Sequence, residues 1–143
     1  MSSTSVVIVD QLDQLHQLDL PPGPLCVLLA IDATDLSVEQ IVACIEHLLQ
    51  AGMVYLCVWG ADTERMHEIA DEVVFGDGDG PSPWQHVVTT WDAADSLSNA
   101  ATFARHEAIP EGASPEDDFV LLGIAVGEPD WARRMGEVFA EVL

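Results

Sequence analysis

Largely apolar segments alternate along this chain with segments whose apolar residues recur at helical spacing. The apolar segments span residues 25–31, 53–59, 86–91 and 119–126. Short apolar runs bounded by turn residues are typical of strands that are buried on both faces of a sheet. Ser5–Val9 is a further candidate for an edge strand, and the leucines at every third position from Leu12 to Leu18 predict a short helix or turn after it.

The segments between the predicted strands carry signals that start and end helices. Ser37 and Gln40 have the spacing of a capping box, in which both side chains bind backbone N–H groups that the first turn leaves unpaired. Gly52 suits the left-handed residue that closes this first helix. Further candidates for the start of a helix are Asp62, Asp95 or Ser96, and Pro129.

Four strand–helix units with buried strands predict a three-layer α/β/α sandwich around a mainly parallel sheet of four or five strands. Right-handed crossovers place the helices on both faces of such a sheet, as in Rossmann-like domains. The chain has 143 residues, a length that suits one domain with a full hydrophobic core. We therefore expect residues 1–143 to form a single acidic α/β domain.

The charge balance of the chain excludes several classes of partner. Four arginines and no lysine stand against 25 aspartates and glutamates, which gives a net charge of −21 at pH 7. Binding to nucleic acid or to anionic lipid requires clustered cations. No apolar run approaches the roughly 18 residues of a membrane span. We expect neither nucleic acid nor a membrane as partner, and a basic protein as the electrostatic complement.

The cysteines indicate a reducing compartment. Cys26, Cys44 and Cys57 are odd in number, lie among apolar residues and show no CxxC spacing. We interpret them as buried small side chains rather than as disulfides or zinc ligands. Together with a start that has no cationic region before a long apolar run, this predicts a cytoplasmic protein.

Aromatic and acidic residues gather at the predicted carboxyl ends of the strands, where open α/β sheets bind ligands. The proposed partner-binding residues at this edge are Trp59, Asp62, Glu64, Trp91 and Asp92. Aromatic side chains there would supply buried area and acids would steer a basic partner. The same residue types also form cores and cap helices, so the alternative is that the tryptophans are core residues and the acids are caps.

Carboxylates at the same edge suggest a second chemistry. Asp32, Asp35, Asp62 and Asp92 could hold Mg²⁺, a hard cation that needs only a few carboxylates and water. The glycine-rich phosphate loops GxGxxG and GxxxxGK[ST] are absent, as is the GxSxG turn of hydrolases. No catalytic residue can therefore be nominated from motifs.

Three stretches resemble a small bacterial family of unknown function. Cys57–Glu72, which contains the pattern Val-Trp-Gly-x-Asp-x-Glu-Arg-x-His, resembles its most characteristic segment, and Val88–Trp91 and Ala125–Trp131 resemble its other landmarks. The chain departs from the family at Asp92, where a histidine is expected, and in a less aromatic third helix. The resemblance implies a compact Rossmann-like domain and no established activity, substrate or catalytic residue.

Two functions of different classes follow from these observations. The first is a non-enzymatic acidic interaction protein, for instance an inhibitor or immunity-type protein that covers a basic partner, and it requires no cofactor. The second is a magnesium-dependent enzyme or a nucleotide-like ligand binder at the carboxyl ends of the strands. Adaptation to a salty cytoplasm would also produce the acidic composition, and in that case the charge would carry no information about partners.

Overall fold

A computed structural model describes residues 3–18, 20, 24–75, 87–92, 96–107 and 120–140. Five strands and four α-helices alternate along these residues, with one 3-10 helix near the start. In chain order the elements are β1 (Ser3–Val9), the 3-10 helix (Leu12–Gln17), β2 (Leu25–Ala30), α1 (Val38–Gln50), β3 (Met53–Trp59), α2 (Thr63–Phe75), β4 (Val88–Asp92), α3 (Leu97–Glu107), β5 (Val120–Val126) and α4 (Pro129–Phe139).

The five strands form one sheet with the spatial order β1-β5-β2-β3-β4. Every pair of neighbouring strands is parallel, so all the strands end at the same edge. β2 is buried along its whole length, which agrees with its continuous apolar sequence. The predicted parallel α/β fold is confirmed, and Ser5–Val9 belongs to an edge strand beside β5.

The helices cover both faces of the sheet and enclose two separate cores. One core joins the sheet to the 3-10 helix, α1 and α2, with Leu15, Ile45 and Met66 fully buried. The other core joins the sheet to α3 and α4 and contains the small residues Ala101 and Ala104. The three-layer arrangement follows from the chain path, because the crossover from β4 back to β5 must use the face opposite to α1 and α2.

Local signals in the sequence explain several of the helix ends. The Ser37 hydroxyl accepts a hydrogen bond from the Gln40 amide at 3.1 Å, and the Gln40 side chain accepts one from the Ser37 amide at 2.9 Å, so the predicted capping box is present. Gly52 follows α1 with φ of +108°, the left-handed conformation that its position predicts. The capping box and the left-handed conformation of Gly52 therefore define the two ends of α1.

Two of the remaining helix signals are also observed, whereas Asp62 directly precedes α2 with its carboxylate bound to Arg65. The Ser96 hydroxyl accepts from the Asn99 amide at 3.1 Å and so caps α3, and Pro129 occupies the first position of α4. Asp95, the other candidate cap of α3, lies outside the described residues, as do the first residues of the predicted strands at 86 and 119.

Candidate functional site

A cleft of about 480 Å³ opens at the carboxyl edge of the sheet. The chain runs from β2 outward to β3 and β4 and then returns to place β5 on the other side of β2, so the direction of winding reverses between β2 and β5. Ligands of open α/β proteins bind at such a reversal, because the loops there separate to opposite faces. The cleft is lined by Asp32, Trp59, Gly60, Ala61, Val126, Gly127, Glu128 and Trp131.

Two tryptophans from different strand–helix units form an aromatic wall of the cleft. Trp59 ends β3, and Trp131 lies in the first turn of α4. Their ring centroids are 5.3 Å apart and their planes meet at 86°, an edge-to-face contact. Such pairs are favourable by about 0.5–1.5 kcal/mol beyond the area that they bury. Both side chains are partly buried against the α3–α4 core, which fixes them at the mouth of the cleft.

The loops after β2 and β3 are bound together next to this wall. The Ile31 amide donates to the Trp59 carbonyl and the Ala33 amide to the Ala61 carbonyl, each at 2.9 Å. Gly60, with φ of +129°, lies so close that a Cβ atom would stand 1.9 Å from the Ile31 carbonyl oxygen. Only glycine fits at this position, since any side chain would force the two loops apart.

Arg65 holds the same two loops from the side of α2. Its Nη2 donates to the carbonyl oxygens of Ala33 at 2.6 Å and Leu36 at 2.8 Å, and its Nε donates to Asp62 Oδ2 at 2.9 Å. Asp62 directly precedes α2 and has φ of +60°, a left-handed conformation that is uncommon for residues other than glycine. The Asp62 carboxylate therefore orients Arg65, and Arg65 orients the loop that carries Asp32.

The polar side of the cleft carries two exposed carboxylates. Asp32 follows β2, and its Oδ1 accepts a hydrogen bond from the Thr34 amide at 3.0 Å. Hydrogen bonds from the Thr34 hydroxyl and amide lower the pKa of Asp32, which keeps this carboxylate charged. Glu128 occupies the N-cap position of α4 without a side-chain capping bond, so its carboxylate is not engaged by the start of that helix. The cleft thus combines aromatic rings with negative charge.

Trp91 lies on the opposite face of the sheet from Trp59. In the register of β3 and β4, Trp91 pairs with Val58, and neighbouring residues of a strand point to opposite faces. The Trp91 ring packs against the ring of His67 on α2 at a centroid distance of 4.5 Å. His67 also contacts the Thr89 carbonyl at 3.2 Å. Trp91 is 46% exposed on this other face.

The other residues that the sequence proposed for partner binding are dispersed along the edge. Glu64 is exposed in the first turn of α2, and Asp62 is paired with Arg65. Asp92 pairs with Trp59 in the strand register, and its side chain lies outside what the structure describes. The structure therefore brings Trp59 together with Trp131, and not with Trp91.

The structure does not gather the described carboxylates of the magnesium hypothesis into one site. Asp32 binds Thr34, Asp62 binds Arg65, and Asp35 is exposed in the loop before α1. Among the described side chains, no group of three or more His, Cys, Asp or Glu residues is placed to hold a metal ion.

The five residues proposed from the sequence for partner binding leave out the end of β5. Trp131 and Glu128 follow the last strand, and only the strand order shows that β5 inserts between β1 and β2. The usable signal was the succession Gly127-Glu128-Pro129-Asp130-Trp131 at the end of a buried strand. It resembles the ends of β3 and β4 in its mixture of acids and a tryptophan.

The described arginines are engaged within the molecule and leave the surface acidic. Arg65 is used by the loops of the cleft, and Arg133 and Arg134 both pair with Asp130 on α4. Arg133 also binds Glu137 at 2.8 Å. Because Arg133 donates to it, the pKa of Asp130 lies below its ordinary value. These cations neutralise their own neighbours, and none of them lines the cleft.

The three cysteines are buried and carry no sign of reactivity. Burial raises the thiol pKa to about 12 for Cys26 and Cys44 and to about 11 for Cys57. All three are free thiols. At neutral pH they are therefore protonated, which agrees with their interpretation as small core residues.

The fold and the cleft define an all-parallel α/β protein with an acidic, aromatic site at the reversal point of its sheet. The chain belongs to the family described as Domain of unknown function (DUF7684), whose model matches residues 7–141. Comparison with curated proteins and with solved structures finds no match. In the part of the chain that the structure describes, no helix is long and apolar enough to cross a membrane.

Proposed function

We propose that this protein is a non-enzymatic recognition module that binds a basic protein, with a cationic side chain of the partner seated in the cleft. The observation that carries the proposal is the edge-to-face pair of Trp59 and Trp131 beside the carboxylates of Asp32 and Glu128 in one cleft of about 480 Å³. An inhibitor or immunity-type protein that covers a positively charged surface is a role of this kind.

The chemistry of the cleft favours a cation over an anion. A guanidinium or ammonium group over an aromatic face gains about 0.5–2 kcal/mol, and more when water is excluded. In an edge-to-face pair, one ring turns its edge toward the face of the other. The faces of that first ring are therefore not covered by its partner ring. Carboxylates at the rim would neutralise the incoming charge, whereas a phosphate would meet only negative groups from the lining side chains.

The overall charge of the protein also favours a cationic partner. A net charge of −21 on 143 residues produces a long-range field that accelerates encounter with a basic partner and repels acidic competitors. In this proposal the field speeds association with the basic partner, and the aromatic pair slows its dissociation. Binding of this kind weakens with salt, because exposed charges are screened over about 8 Å at physiological ionic strength.

The proposal is tested with oligo-arginine and oligo-glutamate peptides of equal length. Calorimetric titration gives the affinity, and stopped-flow mixing gives the association and dissociation rates. We expect saturable binding of the arginine peptide alone. Trp131→Ala should weaken it about tenfold, mainly through a faster off-rate. Asp32→Asn combined with Glu128→Gln should slow association and flatten its salt dependence.

Trp91→Ala is the matched control, since Trp91 is a half-exposed aromatic residue on the opposite face of the sheet. Its effect on binding should be small. If Trp91→Ala weakens binding and Trp131→Ala does not, the partner uses the α2 face and the cleft is the wrong site. If all the variants bind like the wild type, the interaction is a diffuse charge effect and the proposal fails.

A further inference from the structure

Two histidines from different elements are held in contact at the end of α1 that lies away from the cleft. His16 lies in the last turn of the 3-10 helix and His47 in the last turn of α1. Their ring centroids are 4.7 Å apart and their planes are inclined at 58°. Both elements are anchored in the same core, through Leu12 and Leu15 on one side and Leu48 on the other. The ring pair is therefore positioned by packed structure.

One ring nitrogen of His47 has no partner. Its Nε2 atom is buried with no hydrogen-bond partner among the residues that the structure describes. The backbone carbonyl of Leu15 is the acceptor next to this ring, and in the tautomer that carries the proton on Nδ1 that bond is made and Nε2 is left as an acceptor. An unsatisfied buried acceptor is destabilising and calls for an explanation.

A neutral imidazole that donates one N–H to a carbonyl and offers its other nitrogen is the form in which histidine binds metals. Burial, followed by the neighbouring His16, lowers the pKa of His47 and favours this neutral form. The His16 side chain beside it is exposed, so the pair of rings lies at the surface of the molecule.

We propose that His16 and His47 form a site for a divalent transition-metal ion, which clips the 3-10 helix to the end of α1. Imidazole nitrogens select ions such as Zn²⁺, Cu²⁺ and Ni²⁺, whereas Mg²⁺ and Ca²⁺ prefer oxygen ligands. No third His, Cys, Asp or Glu side chain in the described part of the chain completes the site, so water fills the remaining positions and the ion exchanges readily. A bound ion ties the β1 segment more firmly to the rest of the domain.

The test uses the full chain without a purification tag and ZnCl₂ or CuCl₂ as the probe. Millimolar MgCl₂ is present throughout to occupy the many surface carboxylates. Calorimetry should show one saturable equivalent in the wild type, and excess ion should raise Tm by about 5–10 °C. With Cu²⁺, electron paramagnetic resonance should show coupling to two imidazole nitrogens.

His16→Ala should lower the affinity for the ion at least about tenfold, because even the loss of a residue that only supports a metal ligand can cost that much. The resonance spectrum of this variant should show coupling to one nitrogen. His47→Gln should have the same effect on affinity, and His67→Gln, on α2, should have none. Because His16 is exposed, His16→Ala decides the matter even if His47→Gln fails to fold. The proposal is overturned if wild type and His16→Ala bind the ion equally, or if no binding persists above that of Mg²⁺.

Discussion

Trp59 and Trp131 meet edge to face at the carboxyl edge of the sheet, with 5.3 Å between their ring centroids. The contact exists because β5 returns next to β2, which brings the start of α4 to the end of β3. The contact between the two rings links the β3 side of the sheet to the β5 side. It lies at the reversal between β2 and β5, where the connecting loops lead to helices on opposite faces. The rings therefore serve both as part of the α3–α4 core and as a wall of the cleft.

Gly60 is the position at which a small change should disturb the cleft most. In Gly60→Ala, the new Cβ would overlap the Ile31 carbonyl oxygen at 1.9 Å, in a backbone conformation with φ of +129°. We expect a loss of about 2–4 kcal/mol in the free energy of unfolding, measured by urea denaturation.

Gly136→Ala is the control for this substitution. Gly136 lies within α4, and a Cβ atom added there would meet no other heavy atom within 4 Å. Alanine should stabilise the protein by up to about 1 kcal/mol, because alanine is the better helix former. Equal effects at the two glycines would show that the loops after β2 and β3 tolerate separation.

Arg65 should be more important for stability than its partly exposed position indicates. Arg65→Lys keeps the charge and loses the planar fork that reaches the carbonyls of Ala33 and Leu36 together. We expect it to destabilise the fold by about 1–2 kcal/mol and to shift the amide resonances of residues 32–36. Arg134→Lys, whose exposed ion pair with Asp130 carries little energy, should change stability by less than about 0.5 kcal/mol. A similar small effect for Arg65→Lys would contradict the role assigned to Arg65.

The carboxylate of Asp32 should titrate below its ordinary range because of Thr34. Thr34→Val removes the hydroxyl and keeps the backbone amide, so the pKa of Asp32 should rise toward 3.8 without fully reaching it, as followed by carboxyl carbon resonances. Thr34→Ser should leave that pKa low.

The sign of the stability effect at Asp32 follows from the lowered pKa of the folded state. The hydrogen bonds to Asp32 contribute stability above the pKa of the unfolded chain, and this contribution is lost as the pH falls through the lower folded pKa. Thr34→Val should therefore narrow the stability difference between neutral and strongly acidic solution. An unchanged Asp32 titration in Thr34→Val would show that the hydroxyl does not hold the carboxylate.

The cysteines should be inert in the folded protein. With thiol pKa values raised to about 11 or 12, almost no thiolate is present at neutral pH, and all three side chains are buried. We expect no labelling by an aromatic disulfide reagent in buffer and labelling of all the cysteines after denaturation. Rapid labelling of the native protein would contradict the packing of the core.

The fold was predictable because its signals are local. Buried strands such as β2 and β3 appear as continuous apolar runs, and the capping box at Ser37 marks the start of α1. Strand order and register are not local, since they depend on pairing between distant segments. For that reason sequence reasoning grouped Trp59 with Trp91, whereas the register puts Trp91 beside Val58 on the opposite face. It also left Trp131 out of the site, because the neighbour of β5 is decided only when the sheet forms.

The most direct test of the proposed function follows the indole N–H resonances during titration with an oligo-arginine peptide. We predict that the signals of Trp59 and Trp131 shift together and saturate, while the signal of Trp91 stays in place. A titration in which Trp91 shifts and the pair at the cleft does not would contradict the proposed function. So would one in which none of the three indoles responds although the peptide binds.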